Sequence, residues 1–125
     1  MAKTSLLLVD DEEEFVTTLV ERLRWRGFRA EAAFSGPAAL ERLRQAPFDL
    51  AVVDLKMPGI DGLELRSLIE DEFPDVTVWL ATGHGHDPSR QDEPDPSGQD
   101  ILLKPFNIDV LIDRINQHET ERGRT

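Results

Sequence analysis

Two unbroken apolar runs, Leu6-Leu7-Leu8-Val9 and Leu50-Ala51-Val52-Val53, constrain this chain more than any other feature. A strand with one face in water alternates apolar and polar residues. A continuous run belongs to a strand buried on both faces, as in a parallel sheet covered by helices on each side. Amphipathic stretches lie between such runs. The spacing predicts strands over Ser5–Val9, Phe28–Phe34, Asp49–Val53, Val76–Ala81 and Ile101–Leu103. It predicts a helix over Glu12–Trp25, with Phe15, Val16, Leu19, Val20 and Leu23 inward and Gly27 as its stop. A second helix opens at Gly36-Pro37, where proline is tolerated, with Leu40 and Leu43 inward. A third spans Gly62–Phe73, with Leu65, Leu68 and Ile69 inward and Pro74 ending it. Asn107 caps a last helix that buries Ile108, Leu111, Ile112 and Ile115. Trp25 and Trp79 read as packing residues.

Strand and helix thus alternate, and alternation argues for parallel strands with helices on both faces. One crossover departs from the rule. His86 to Asp100 reads HDPSRQDEPDPSGQD, with three prolines and no large apolar side chain. An interior proline costs a helix about 3 kcal/mol. The expectation there is a loop with at most one helical turn, so that the fourth helix is short or missing. His84 and His86 read as solvated loop residues.

A chain of 125 residues suits one domain. We expect that domain over 1–120, with 121–125 as a tail or the start of a linker. Lys plus Arg total 14 against 25 Asp plus Glu, a net charge of −11. Such a chain repels nucleic-acid phosphates and anionic lipid and favours cations and basic partners. It has no cysteine, which excludes disulfides, thiol nucleophiles and thiolate metal sites. No apolar run is long enough to span a bilayer, and no secretory signal opens the chain, so the expected location is the cytoplasm.

In open parallel sheets the chemistry gathers beyond the C-terminal strand ends. The first strand ends in Asp10-Asp11, with Glu12 next; the third ends in Asp54, the fourth in Thr82 and the fifth in Lys104-Pro105. If strands one and three are neighbours, three carboxylates converge. Crowded like charges repel and raise one of the pKa values. A hard divalent cation resolves the conflict, and Mg²⁺ suits a site of few carboxylates that leaves room for a phosphate oxygen. A carboxylate so placed can attack phosphorus and form an aspartyl phosphate. Lys104 would neutralise the transferring group on its other side, and Thr82 could donate its hydroxyl.

Leu-Leu-Val-Asp10-Asp11-Glu12, Val-Val-Asp54-Leu-Lys-Met-Pro58-Gly-Ile-Asp-Gly62, Thr82-Gly and Lys104-Pro105-Phe together resemble the receiver domain of two-component response regulators. The likeness covers nearly the whole chain in order and spacing. It implies a flavodoxin-like three-layer sandwich with a five-stranded parallel sheet in 2-1-3-4-5 order. It implies phosphorylation at Asp54. It implies Mg²⁺ held by Asp11, Asp54 and the Lys56 carbonyl, with Asp10 acting through water. Thr82 and Lys104 would contact the phosphoryl group, and Pro105 would follow a cis bond, a geometry that X-Pro bears at small cost. The implied partners are a sensor histidine kinase or histidine phosphotransfer protein as donor, a linked output domain or protein target, and a second copy of the chain. Direct nucleic-acid or membrane contact is not implied. Thr82-Gly83-His84-Gly85 looks most like receivers attached to transcriptional activators.

Ile101 departs from the pattern. The family usually carries Tyr or Phe three residues before the lysine, and that ring swings inward on phosphorylation, with the threonine following. The sparse crossover is the second departure, since the fourth helix usually belongs to the output surface. Taken singly, each site residue has a plainer use: Asp10 to Glu14 as an acidic first turn, Asp54 as a cap or turn residue, Lys104-Pro105 as a strand end. The set is what points to phosphoryl chemistry. An interaction module that signals without phosphorylation, with an atypical switch (Ile101 and the Pro-rich fourth crossover), is the alternative. A hydrolase of another aspartyl-phosphate class would want an acid two residues after the nucleophile, where Lys56 stands. A dinucleotide site would want G-x-G-x-x-G after the first strand, which is absent.

Overall fold

The structure, a computed structural model, describes residues 4–83, 101–104 and 106–122, with 119–122 described by backbone alone. Its elements run β1 (Ser5–Val9), α1 (Glu13–Trp25), β2 (Arg29–Ala33), α2 (Gly36–Gln45), β3 (Leu50–Asp54), α3 (Gly62–Glu72), β4 (Thr77–Thr82), β5 (Ile101–Leu103) and α4 (Ile108–Arg122). The five strands form one parallel sheet in the order β2-β1-β3-β4-β5. The chain reverses its direction of travel across the sheet between β1 and β3, which sets the mouth of the fold between those two strands.

The pleat divides the core in two. Leu6, Leu8, Leu50, Val52, Trp79, Ala81 and Leu102 face α1 and α4, where Val16, Leu23, Leu111 and Ile115 meet them. Leu7, Val9, Ala51, Val53, Val78, Leu80 and Ile101 face α2 and α3, where Ala39, Leu43, Leu65 and Ile69 meet them. Each fully buried Leu or Ile contributes roughly 1.5–3 kcal/mol. This is why the central strands are apolar on consecutive positions rather than alternate ones.

Local chemistry places the helix starts. Ser35 Oγ accepts from the Ala38 N–H, Asp61 Oδ1 from the Glu64 N–H, and Asn107 Oδ1 from the Val110 N–H. Each satisfies a backbone donor that helix geometry leaves open. Gly27 closes α1 with φ of 91°, in the left-handed region that a side chain resists. Asp49 binds β1 before β3 begins: its Oδ2 accepts from the Ser5 N–H at 2.8 Å, and its own N–H donates to the Ser5 carbonyl at 2.9 Å.

Two packing expectations fail. Trp25 ends α1 with 83% of its surface exposed, and Leu68 is 40% exposed on α3. Trp25 was read as a packing residue by its type and Leu68 by its helical spacing, but their helices turn both positions away from the sheet. Trp79 is buried, as expected, edge-on to the His118 ring. The loop expected over 86–100, the fourth-helix expectation, His84, His86 and the cis bond at Pro105 lie outside the described residues.

Candidate functional site

The strand ends meet because backbone pairing continues one residue past the strands. The Asp10 N–H donates to the Ala33 carbonyl at 3.0 Å, the Leu55 N–H to Ala81 at 2.8 Å, and the Lys104 N–H to Thr82 at 2.7 Å. The loops therefore leave the sheet from fixed points. A strand alternates faces with a period of two. Asp10 follows the parity of Leu8, Asp54 that of Val52 and Lys104 that of Leu102, so all three lie on the α1 and α4 side. Thr82 has the opposite parity, that of Leu80 and Ile101.

Asp10 is 4% exposed, Asp54 6% and Thr82 2%, whereas Asp11 is exposed. One carboxylate oxygen from each of Asp10, Asp11 and Asp54 lies within 4.8 Å of the others. Lys104 enters from the far side. Its Nζ donates to Asp10 Oδ2 and to Glu12 Oε1, both at 2.8 Å, and stands 3.8 Å from Asp54 Oδ2. The ammonium also lies 5.1 Å from the centre of the Phe15 ring, which packs edge-on against Phe106. This adds a cation–π attraction to the pairing. Asp10 Oδ1 accepts from the Glu12 N–H at 2.9 Å, so both Asp10 oxygens are engaged. Asp54 Oδ1 accepts from the Lys56 N–H at 3.5 Å, a long and weak contact.

Burial, and next the charge of Asp10, push the Asp54 carboxyl from its ordinary 3.8 up to about 6, against the opposing pull of Lys104. Burial disfavours the Lys104 charge, yet the hydrogen bonds to Asp10 and Glu12 outweigh it and push the ammonium up to about 12. Asp10, Asp11 and Asp54 together thus hold more negative charge than Lys104 alone neutralises. An all-oxygen donor set with one reluctant carboxylate fits a hard divalent cation such as Mg²⁺.

Gly62 builds the floor of the site. Its N–H donates to the Leu55 carbonyl at 2.8 Å. A Cβ there would stand 2.6 Å from the Asp54 carbonyl oxygen and 2.6 Å from Leu55 Cα. Only glycine lets α3 start this close to the end of β3. Gly59, with φ of 82°, turns the loop between them.

The structure brings Asp10, Asp11, Asp54 and Lys104 together as the strand-end pattern required, and it places the Lys56 N–H beside Asp54. Ile101 is 4% exposed in the α2 and α3 side of the core. Neither the pairing of Glu12 with Lys104 nor the Phe15 ring beside that ammonium is announced by the sequence. The position of Glu12, directly after two acids at a strand end, was the available signal. Its partner lies 92 residues away and no local pattern announces it.

Residues 6–116 match the family model described as the response regulator receiver domain. The response regulator receiver protein CpdR of Brucella abortus (strain 2308) is 30% identical over 112 residues, covering 90% of this chain and 93% of that protein. The C4-dicarboxylate transport transcriptional regulatory protein DctD of Rhizobium meliloti (strain 1021) is 31% identical over 121 residues, covering 97% of this chain and 26% of that protein. This chain therefore spans nearly all of one relative and about a quarter of the other. Among solved structures, FixJ-N superposes with a TM-score of 0.76 at 29% identity, over 93% of each chain. The Thermotoga maritima response regulator TrrA, crystallised with Mg²⁺ and BeF, superposes with a TM-score of 0.74 at 30% identity, over 94% of this chain and 98% of that one.

Proposed function

This chain belongs to the response regulator receiver domain family, and from that premise we propose that Asp54 is its phosphorylation site, charged by a phosphohistidine on a sensor histidine kinase or a histidine phosphotransfer protein. The single observation that supports this most is the setting of Asp54. It ends β3 nearly buried, within 4.8 Å of Asp10 and Asp11, and 3.8 Å from the Lys104 ammonium.

An Asp54 oxygen attacks phosphorus. The P–N bond of the donor breaks, and its electron pair returns to the imidazole nitrogen. Asp11, Asp54 and the Lys56 carbonyl would hold Mg²⁺, with Asp10 linked to it through water. Mg²⁺ bound there would offset the carboxylate charge and hold a phosphoryl oxygen. Asp10 holds Lys104 beside Asp54, and Lys104 would pair with the phosphoryl oxygens once they arrive. The Thr82 hydroxyl donates to one of them. Pro105 would set the lysine's approach through a cis bond.

The receiver unit spans 1–120, with 121–125 as a tail or linker start. Its output is a linked domain, a protein target or a second copy of the chain, in the cytoplasm. Chemistry at Asp54 is confined to accepting and losing one phosphoryl group. A second reading, a module that signals without phosphorylation, draws on Ile101, an aliphatic side chain already inside the core.

The test is intact mass after incubation with acetyl phosphate and Mg²⁺. One added phosphoryl group that disappears with Asp54→Asn or a chelator is expected. No gain, with a phosphorylated sensor kinase as donor as well, would overturn the reading and favour the interaction module.

A further inference from the structure

Glu12 lies outside the carboxylate cluster and still holds the site's lysine. Its Oε1 is 2.8 Å from Lys104 Nζ, as close as Asp10 Oδ2, while Asp54 Oδ2 is 3.8 Å away. Its backbone N–H donates to Asp10 Oδ1, which ties its position to the end of β1. It occupies the N-cap position of α1 without a side-chain capping bond, so no capping hydrogen bond competes with Lys104 for its carboxylate. An ammonium has three donors, and two of Lys104's are spent on Asp10 and Glu12.

We propose that Glu12 is a positioning residue for Lys104, a latch that holds the ammonium back from a phosphoryl group on Asp54. The proposal rests on the phosphoacceptor reading above. Asp10, Asp11 and Asp54 would have their charge offset by a bound cation, and Asp10 would then hold the lysine less strongly. Glu12 is not one of those three, so a cation there would leave its hold on the lysine in place. Lys104 then divides its donors between Glu12 and the phosphoryl oxygens, and the acylphosphate state is weaker by the strength of that competition. The Glu12 side chain is 65% exposed. Pairs of this exposure are weak and screened by salt, which limits the effect to about 1.5- to fivefold.

The experiment is a calorimetric titration with beryllofluoride, a phosphoryl mimic, at saturating Mg²⁺. It compares the wild type, Glu12→Gln and Glu13→Gln, with Mg²⁺ affinity measured separately for each. The expected result is tighter beryllofluoride binding by Glu12→Gln, about 1.5- to fivefold, with Mg²⁺ affinity no higher than wild type and Glu13→Gln unchanged. The gain should shrink in high salt. Equal gains in both variants would overturn the proposal in favour of bulk charge. Weaker binding of both Mg²⁺ and beryllofluoride by Glu12→Gln would overturn it in favour of a loosened loop. No change in Glu12→Gln, with wild type binding through Asp54, would overturn it and leave the phosphoacceptor reading standing. Wild type that fails to bind beryllofluoride at all would overturn that reading as well.

Discussion

Lys104 Nζ stands 2.8 Å from Asp10 Oδ2 and 3.8 Å from Asp54 Oδ2, so the ammonium is paired with the neighbour of the candidate acceptor rather than with the acceptor. Lysine and a cation then draw on the same Asp10 carboxylate. Lys104→Met should remove the competitor and tighten Mg²⁺ binding several-fold. It should also leave two buried carboxylates without a counter-charge, destabilising the metal-free protein by about 3–5 kcal/mol at pH 7. Thermal melts with and without Mg²⁺ check both effects: a larger Mg²⁺-induced rise in Tm than in wild type is expected. An equal rise would show that Lys104 and the cation do not compete.

Asp54 makes stability depend on pH. Its folded-state pKa of about 6 lies above the ordinary 3.8, so the fold favours the protonated form. Its contribution is complete below 3.8 and is lost as pH rises through about 6. Asp54→Asn is neutral throughout. Its stability advantage over wild type should therefore grow between pH 4 and pH 7, by up to about 3 kcal/mol. Denaturant melts at several pH values measure it, and a difference that stays constant with pH would contradict the raised value. Phosphorylation should fall as pH drops below about 6 at limiting Mg²⁺, since the protonated acid is a poor nucleophile, and saturating Mg²⁺ should move that fall to lower pH.

Gly62→Ala should test the floor of the site. Its Cβ would meet the Asp54 carbonyl oxygen at 2.6 Å, backbone that cannot rotate away. The first turn of α3 must shift, costing about 1–3 kcal/mol by overpacking. Because the clash falls on the backbone of Asp54 itself, acetyl-phosphate labelling should slow along with the fall in Tm. Normal labelling in a destabilised variant would separate the α3 start from the site.

Ile101→Ala should separate the core from the chemistry. Ile101 is 4% exposed and its truncation should cost about 2–5 kcal/mol. Its side chain packs in the α2 and α3 side of the core at the start of β5, three residues before Lys104 at the strand end. The rate of labelling at Asp54 should therefore stay near wild type in the folded protein. A large loss of labelling, with the fold intact by circular dichroism, would place Ile101 in the reaction instead.

Much of this molecule was legible in its residues, and the reasons are local. Leu6-Leu7-Leu8-Val9 and Leu50-Ala51-Val52-Val53 announced parallel strands because only strands covered on both faces are apolar at consecutive positions. Asp10, Asp54, Thr82 and Lys104 were singled out because they stand at or just past the ends of β1, β3, β4 and β5. The errors were of the same kind. Trp25 was read as a packing residue by its type and Leu68 by its helical spacing, but a side chain is only as buried as what lies opposite it.

The sequence by itself determined the alternation of elements, the strand ends and the kinds of group that gather there, because periodicity and residue chemistry are properties of neighbouring positions. The tertiary structure alone decided that Asp10 and Asp54 are buried while Asp11 is exposed, that Glu12 shares Lys104 with Asp10, and that Gly62 touches the β3 end. Those relations join residues brought together by strand order, the pairing of β1 with β3 and of β4 with β5. Their energies depend on burial and distance, which no local pattern encodes.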